Sequence, residues 1–127
     1  MEKIRIRSSK VGAPVGPFVQ AVKAGNLLYI SGQVARGLDG NVVGKGDPAA
    51  QMRHIMENLK AIVEEAGGTL ADIVKVTVFV KRIEDYPVTW EVRRQYFGDT
   101  LPSSTLVAVK ELLHPDFLIE IEAVAVI

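Results

Sequence analysis

Phe117-Leu118-Ile119-Glu120-Ile121-Glu122-Ala123-Val124-Ala125-Val126-Ile127 follows Leu101-Pro102-Ser103-Ser104-Thr105-Leu106-Val107-Ala108-Val109 after a short loop through His114-Pro115-Asp116. Both apolar runs are rich in β-branched residues and bounded by Pro102 and Pro115, so they read as two strands. Counting by twos along the second puts Glu120 and Glu122 on one face with Leu118 and Val124, and Ile119, Ile121, Ala123 and Ala125 on the other. Two carboxylates therefore sit in the middle of an otherwise apolar strand. A buried charge stripped of its partner destabilises a fold by roughly 3–5 kcal/mol, so such a carboxylate must be hydrogen-bonded, paired, solvated or facing a cleft. The pattern leaves two readings open: a solvated sheet face or edge for both glutamates, or a pocket or subunit interface lined by at least one.

Working outward, Ile73 to Val80 alternates Val74, Val76, Val78 and Val80 with Lys75, Thr77 and Phe79, the pattern of a strand buried mainly on one side. Between these strands, Glu84-Asp85-Tyr86-Pro87 opens a helix that carries Trp90, Arg93, Arg94, Tyr96 and Phe97 and ends near Gly98. Further upstream lies the stronger helix signal. Asp47 is a good N-cap, Pro48 suits the first helical position and Gly67-Gly68 is a stop. Met52, Ile55, Met56, Leu59, Ile62, Val63 and Ala66 keep helical spacing, while Gln51, Arg53, His54, Glu57, Asn58, Lys60 and Glu64 fall off that stripe.

The first third reads as strands. Lys3 to Ser8 alternates like an edge strand, and Val11 to Pro17 is a loop by its glycine and proline density. Val19 to Ala24 and Leu27 to Val34 are joined at Gly25-Asn26, a two-residue turn expected to be type I′. Arg36 to Gly46 reads as a flexible, exposed loop. This order predicts one α+β domain over residues 1–127, a mixed six-stranded sheet with two helices packed on one face. The other face, with its glutamates, is half apolar and needs a partner.

Fifteen basic and fifteen acidic residues cancel among 127, which leaves no electrostatic footprint for nucleic acid or an anionic membrane. The absence of cysteine excludes disulfides and thiolate chemistry and suits a reducing cytoplasm. Met1 to Arg7 has no apolar core of signal-peptide length, and no stretch approaches a membrane span. A soluble cytoplasmic protein is expected. His54 is expected to be solvated on the polar helix face and His114 to be a turn residue. Two distant histidines give no metal-ligand spacing, and no cofactor is indicated.

Five ordered blocks carry a resemblance that spans nearly the whole chain. Gly16 to Val22, Ile30-Ser31-Gly32-Gln33, Asn58 to Val63, Val74 to Val80, and Pro102 to Val109 with Ile119 to Ala125 together resemble the reactive intermediate deaminase family, also called YjgF or Rid. The resemblance implies a chorismate-mutase-like fold and a homotrimer whose intersubunit clefts hydrolyse enamines and imines to ketones and ammonia. It implies that Ser31, beside Gly32, hydrogen-bonds the substrate, and that Glu120 orients or activates the hydrolytic water. It also implies departures. Ser104 stands where deaminating members carry an arginine that clamps the substrate carboxylate, Phe18 where they often carry tyrosine, and Trp90 where they often carry asparagine.

Arg93 lies three residues after Trp90 on the same helical face. It can replace the missing clamp, with Trp90 as a flat wall favouring a larger conjugated substrate such as an aminomuconate-like enamine; the alternative is a surface or interface ion pair. Two functional readings stand: an imine or enamine hydrolase with an altered pocket, or a non-catalytic trimer binding a small metabolite in the same clefts. A ribonuclease is disfavoured by the neutral charge.

Overall fold

The computed structural model describes all 127 residues. Strands β1 (Lys3–Ile6), β2 (Ala21–Ala24) and β3 (Leu27–Gln33) precede helix α1 (Pro48–Glu65); β4 (Ile73–Val80), α2 (Tyr86–Phe97), β5 (Ser103–Ala108) and β6 (Ile119–Val126) follow. They form one six-stranded sheet in the order β1-β2-β3-β6-β4-β5, antiparallel except for the parallel β4–β5 pair. The parallel pair is the one joined through a helix, as a parallel connection requires. Strand β6 enters between β3 and β4, so the glutamate-bearing strand is central.

Helix α1 starts where the Asp47 side chain accepts the Ala50 N–H at 3.1 Å, with Pro48 at the first turn. It ends before Gly67, whose φ of 98° a β-carbon would oppose. Its apolar stripe, Met52, Ile55, Met56, Leu59, Ile62 and Val63, is fully buried. It packs against β3 and β6, and α2 lies beside it. From the sheet, Leu28, Val76, Val78, Ile119 and Ile121 meet this layer with no exposed surface.

Three local expectations change. Only Gly25 of the β2–β3 turn has positive φ, at 62°, so the turn has the type II′ pattern with glycine first; Asn26 needs no left-handed backbone. Val74 points outward and is 46% exposed, because a bulge between Ile73 and Lys75 turns Ile73 into the core instead. The Arg36–Gly46 segment is a small hairpin rather than an open loop. Arg36 bridges Val42, Gly37 N–H donates to the Asn41 carbonyl at 2.8 Å, and Val43 N–H donates to the Ala35 carbonyl at 2.8 Å.

The sheet face away from the helices carries Tyr29 (51% exposed), Thr77, Phe79, Glu122 and Val124, with Lys75 beside them. No helix is long and apolar enough to cross a membrane.

Candidate active site

Strand β6 delivers Glu120 opposite Phe79 of β4, and Glu122 opposite Thr77. On its other side β3 loses regular register between Ile30 and Gln33, and this irregularity holds Ser31 and Gly32. The Glu120 carboxylate lies against Gly32. A β-carbon at position 32 would stand 2.8 Å from its Cδ and 3.1 Å from its Cγ, so the carboxylate can occupy this place only because residue 32 is glycine. Glu120 is half-buried while Glu122 is exposed. Burial, and secondarily the charge of Glu122, pushes the Glu120 carboxyl above its ordinary pKa.

Glu120 lines a cavity of about 360 Å³ between the Val11–Phe18 loop, the end of β3, α1 and the loop before β6. Phe18, 48% exposed, forms part of the rim. Ser31 donates its hydroxyl proton to the Val19 carbonyl at 2.7 Å, and its N–H donates to the Gln20 carbonyl at 2.9 Å. The hydroxyl is thus committed as a donor, and its lone pairs remain to accept an N–H from a ligand. The cavity brings together Phe18, Ser31, Gly32 and Glu120, four residues singled out from the sequence.

Trp90, Arg93 and Ser104 meet elsewhere. They line a shallow groove between α2 and β5 together with Arg94, Phe97 and Leu101. Ser104 sits opposite Val76 on the helix-covered face, whereas Glu120 faces the other way with Phe79. Arg93 is only 8% exposed; Nη1 donates to Ser104 Oγ at 3.0 Å and Nε to the Thr89 carbonyl at 3.3 Å. No carboxylate pairs with it. Burial lowers its pKa from the ordinary value, as expected for a cation without an anion. Trp90 is 48% exposed, with the Arg94 guanidinium 5.2 Å from its ring centroid.

Several polar residues in and around the cavity escaped the sequence reading. Gln20 is buried and ties the N-terminal segment down, accepting from Ser8 N–H at 2.6 Å and donating to the Ser8 carbonyl at 3.2 Å. Asn58 is 5% exposed and lines the cavity, with its amide nitrogen 3.4 Å from Gln33 Oε1. Gln51, fully buried, donates to the Gly44 and Asp116 carbonyls and accepts from Leu118 N–H, which fixes the entry into β6. Arg36 also lines the cavity. His54 is not simply solvated: its Nε2 donates to the Arg36 carbonyl at 2.9 Å. His114 is the expected turn residue, with Nδ1 accepting from Asp116 N–H at 3.0 Å.

The family model described as Endoribonuclease L-PSP matches residues 9–127. Over 112 residues, 88% of each chain, the sequence is 41% identical to 3-aminoacrylate deaminase RutC of Acinetobacter baylyi. It is 34% identical over 114 residues, 90% of this chain and 88% of the relative, to 2-iminobutanoate/2-iminopropanoate deaminase of Dermatophagoides farinae. The crystal structure of RidA from an Antarctic Psychrobacter superposes with a TM-score of 0.92 at 35% identity, over 98% of this chain and 99% of that one.

Proposed function

We propose, for a chain that belongs to the reactive intermediate deaminase (Rid, or YjgF) family, that the Glu120 cavity hydrolyses enamines or imines to a ketone or keto acid and ammonia. The observation that carries this reading is a half-buried carboxylate of raised pKa, lodged against a glycine beside a hydroxyl free to accept. Two relatives named as deaminases of small enamine or imine acids support the same chemistry.

The steps need only these groups. Protonated imine enters with its N–H directed at the Ser31 oxygen. Glu120 takes a proton from water as the water oxygen bonds to the imine carbon, giving a carbinolamine. The protonated Glu120 then returns that proton to nitrogen. The regenerated carboxylate takes the hydroxyl proton of the carbinolamine as the C–N bond breaks, so the carbonyl forms as ammonia leaves. Ammonia carries the last proton away as ammonium, which restores ionised Glu120. An enamine joins this route after gaining a proton at carbon. A carboxyl whose pKa is raised is a better proton carrier between water and nitrogen, and such acid–base assistance is worth roughly a hundredfold or more.

Assembly belongs to the same reading. A homotrimer would cover the half-apolar sheet face and bring the Trp90–Arg93–Ser104 groove of one subunit to the Glu120 cavity of the next. Arg93 would then hold the substrate carboxylate where the resemblance leads one to look for arginine at 104, with Trp90 as an apolar wall. Support comes from the contact of its Nη1 with Ser104 and from its lack of an anionic partner. A cytoplasmic setting fits a cysteine-free chain. RNA is not part of this reading, since equal numbers of acidic and basic residues give no cationic track.

The test is ammonia release from freshly generated small imines, measured against buffer for the native protein, Glu120→Ala and Ser104→Arg. Acceleration by the native protein and its loss in Glu120→Ala is expected. A native protein that accelerates nothing, yet melts higher with small keto acids, is instead the non-catalytic metabolite binder.

A further inference from the structure

The Glu120 cavity contains a cation to which the deamination steps give no task. Arg36 stands on its wall with Cζ 5.0 Å from the ring centroid of Phe117, which also lines the cavity and has no exposed surface. One guanidinium nitrogen, Nη1, donates to the Gly40 carbonyl at 3.2 Å, and the Arg36 carbonyl is held by His54 at 2.9 Å. The side chain is therefore stacked on a fixed platform and tethered at one nitrogen, while Nε and Nη2 have no partner within the chain. Those two N–H groups form the edge of the fork that meets a carboxylate with two parallel hydrogen bonds.

A guanidinium keeps its proton under all ordinary conditions, so a half-buried one on a cavity wall, with two N–H groups free, favours an anion there. No carboxylate of the chain pairs with Arg36. Glu120 shares the cavity, but no ion pair joins it to Arg36. The cavity, about 360 Å³, lies near the small end of ligand sites, which run from roughly 300 to 1,000 Å³. It has room for a five-carbon diacid.

We infer that Arg36 binds a carboxylate at the end of the substrate remote from the C=N bond, so that the protein prefers dicarboxylic imino or enamino acids to monocarboxylic ones. The inference rests on the deaminase reading for its reaction, but its binding site stands without it. Arg93 takes the carboxylate next to the reacting carbon, and Arg36 the distal one.

The experiment compares two imines made in the assay by an amino acid oxidase, one from a three-carbon monocarboxylic and one from a five-carbon dicarboxylic amino acid. Expected for the native protein is a kcat/KM on the order of tenfold or more in favour of the dicarboxylic imine, as one charge-assisted hydrogen-bonded pair allows. Arg36→Met raises KM for that substrate by a similar factor, with kcat nearly unchanged and both constants for the monocarboxylic imine unchanged. Arg36→Lys recovers part of the difference. Equal rates on both imines in the native protein, or equal losses on both in Arg36→Met, overturn the inference.

Melting temperature with the corresponding keto acids separates this site from the reaction. If neither imine is turned over but the five-carbon keto diacid raises the melting temperature in the native protein and not in Arg36→Met, the acid site stands and the deaminase reading falls. If deamination proceeds but the diacid gives no Arg36-dependent shift, the reverse holds.

Discussion

The Glu120 cavity and the Trp90–Arg93–Ser104 groove are opposites. The first has a carboxyl raised above its ordinary pKa by burial, a hydroxyl with acceptor capacity and a volume of about 360 Å³. The second is shallow and holds a buried arginine with no anion and an exposed tryptophan. One has the means to move protons and the other to hold a carboxylate, and they lie on opposite faces of one sheet. In the proposed trimer each is half a site. What the difference teaches is that a guanidinium is present at Ser104 all the same, since the α2 arginine reaches the serine hydroxyl from across the groove; on the proposed reading the clamp is relocated and not lost.

The comparison breaks most decisively at Glu120. Glu120→Ala is expected to lower kcat for imine hydrolysis by on the order of a hundredfold or more, while the keto-acid product still binds. Retained turnover would move the chemistry out of this cavity. Gly32→Ala should come next, with activity down about tenfold or more, because the new methyl overlaps the Glu120 carboxylate and displaces it. A crystal structure of that variant would show the carboxylate shifted.

The groove half predicts a different kinetic signature. Arg93→Met is expected to raise KM about tenfold with a smaller effect on kcat, and the effect should vanish for an imine lacking a carboxylate. If Arg93→Met lowers the melting temperature and leaves KM alone, the arginine is only holding α2 against β5.

The smallest effect concerns stability. Because the folded Glu120 pKa lies above its unfolded value, the folded state holds this proton more tightly, and ionisation of Glu120 weakens the fold. That contribution is lost as pH rises from the ordinary carboxylate range through the raised pKa, and it stays lost above. Glu120→Gln should therefore stabilise the protein at neutral pH by about 1 kcal/mol or less, given partial exposure, with no gain below the ordinary carboxylate pKa. Melting curves across acid and neutral pH check the sign.

Much of this was legible in the residues. Asp47-Pro48 and Gly67 bracket α1, and alternation along β6 assigned each side chain to its face, because both signals depend on neighbours in sequence. Pattern did not distinguish Glu120 from Glu122. What separates them is the β3 irregularity that brings Gly32 alongside Glu120, a contact across strands far apart in the chain.

Gln51 and Asn58 fall off the apolar stripe by spacing, yet both are buried. Their spacing of seven, flanking Met52, Ile55, Leu59 and Ile62, was an available signal that they share one helix face. What buries them is the need of loop carbonyls and N–H groups for partners. Arg36 is hidden in the sequence because glycine density reads as an open loop, whereas hairpin hydrogen bonds and His54 pin it to α1. The resemblance, not the pattern, joined Trp90, Arg93 and Ser104 to Glu120; within one chain only the first three meet.

The central place of β6 also constrains the route to the native state. Every other strand precedes it, yet β3 and β4 can be bridged only by residues 119–126. Until that segment arrives, the sheet exists as two ribbons with bare inner edges, each a template for unwanted strand pairing. The same segment carries Glu120, so closing the sheet and completing the Glu120 cavity are one event, and no partly assembled sheet holds the proposed site.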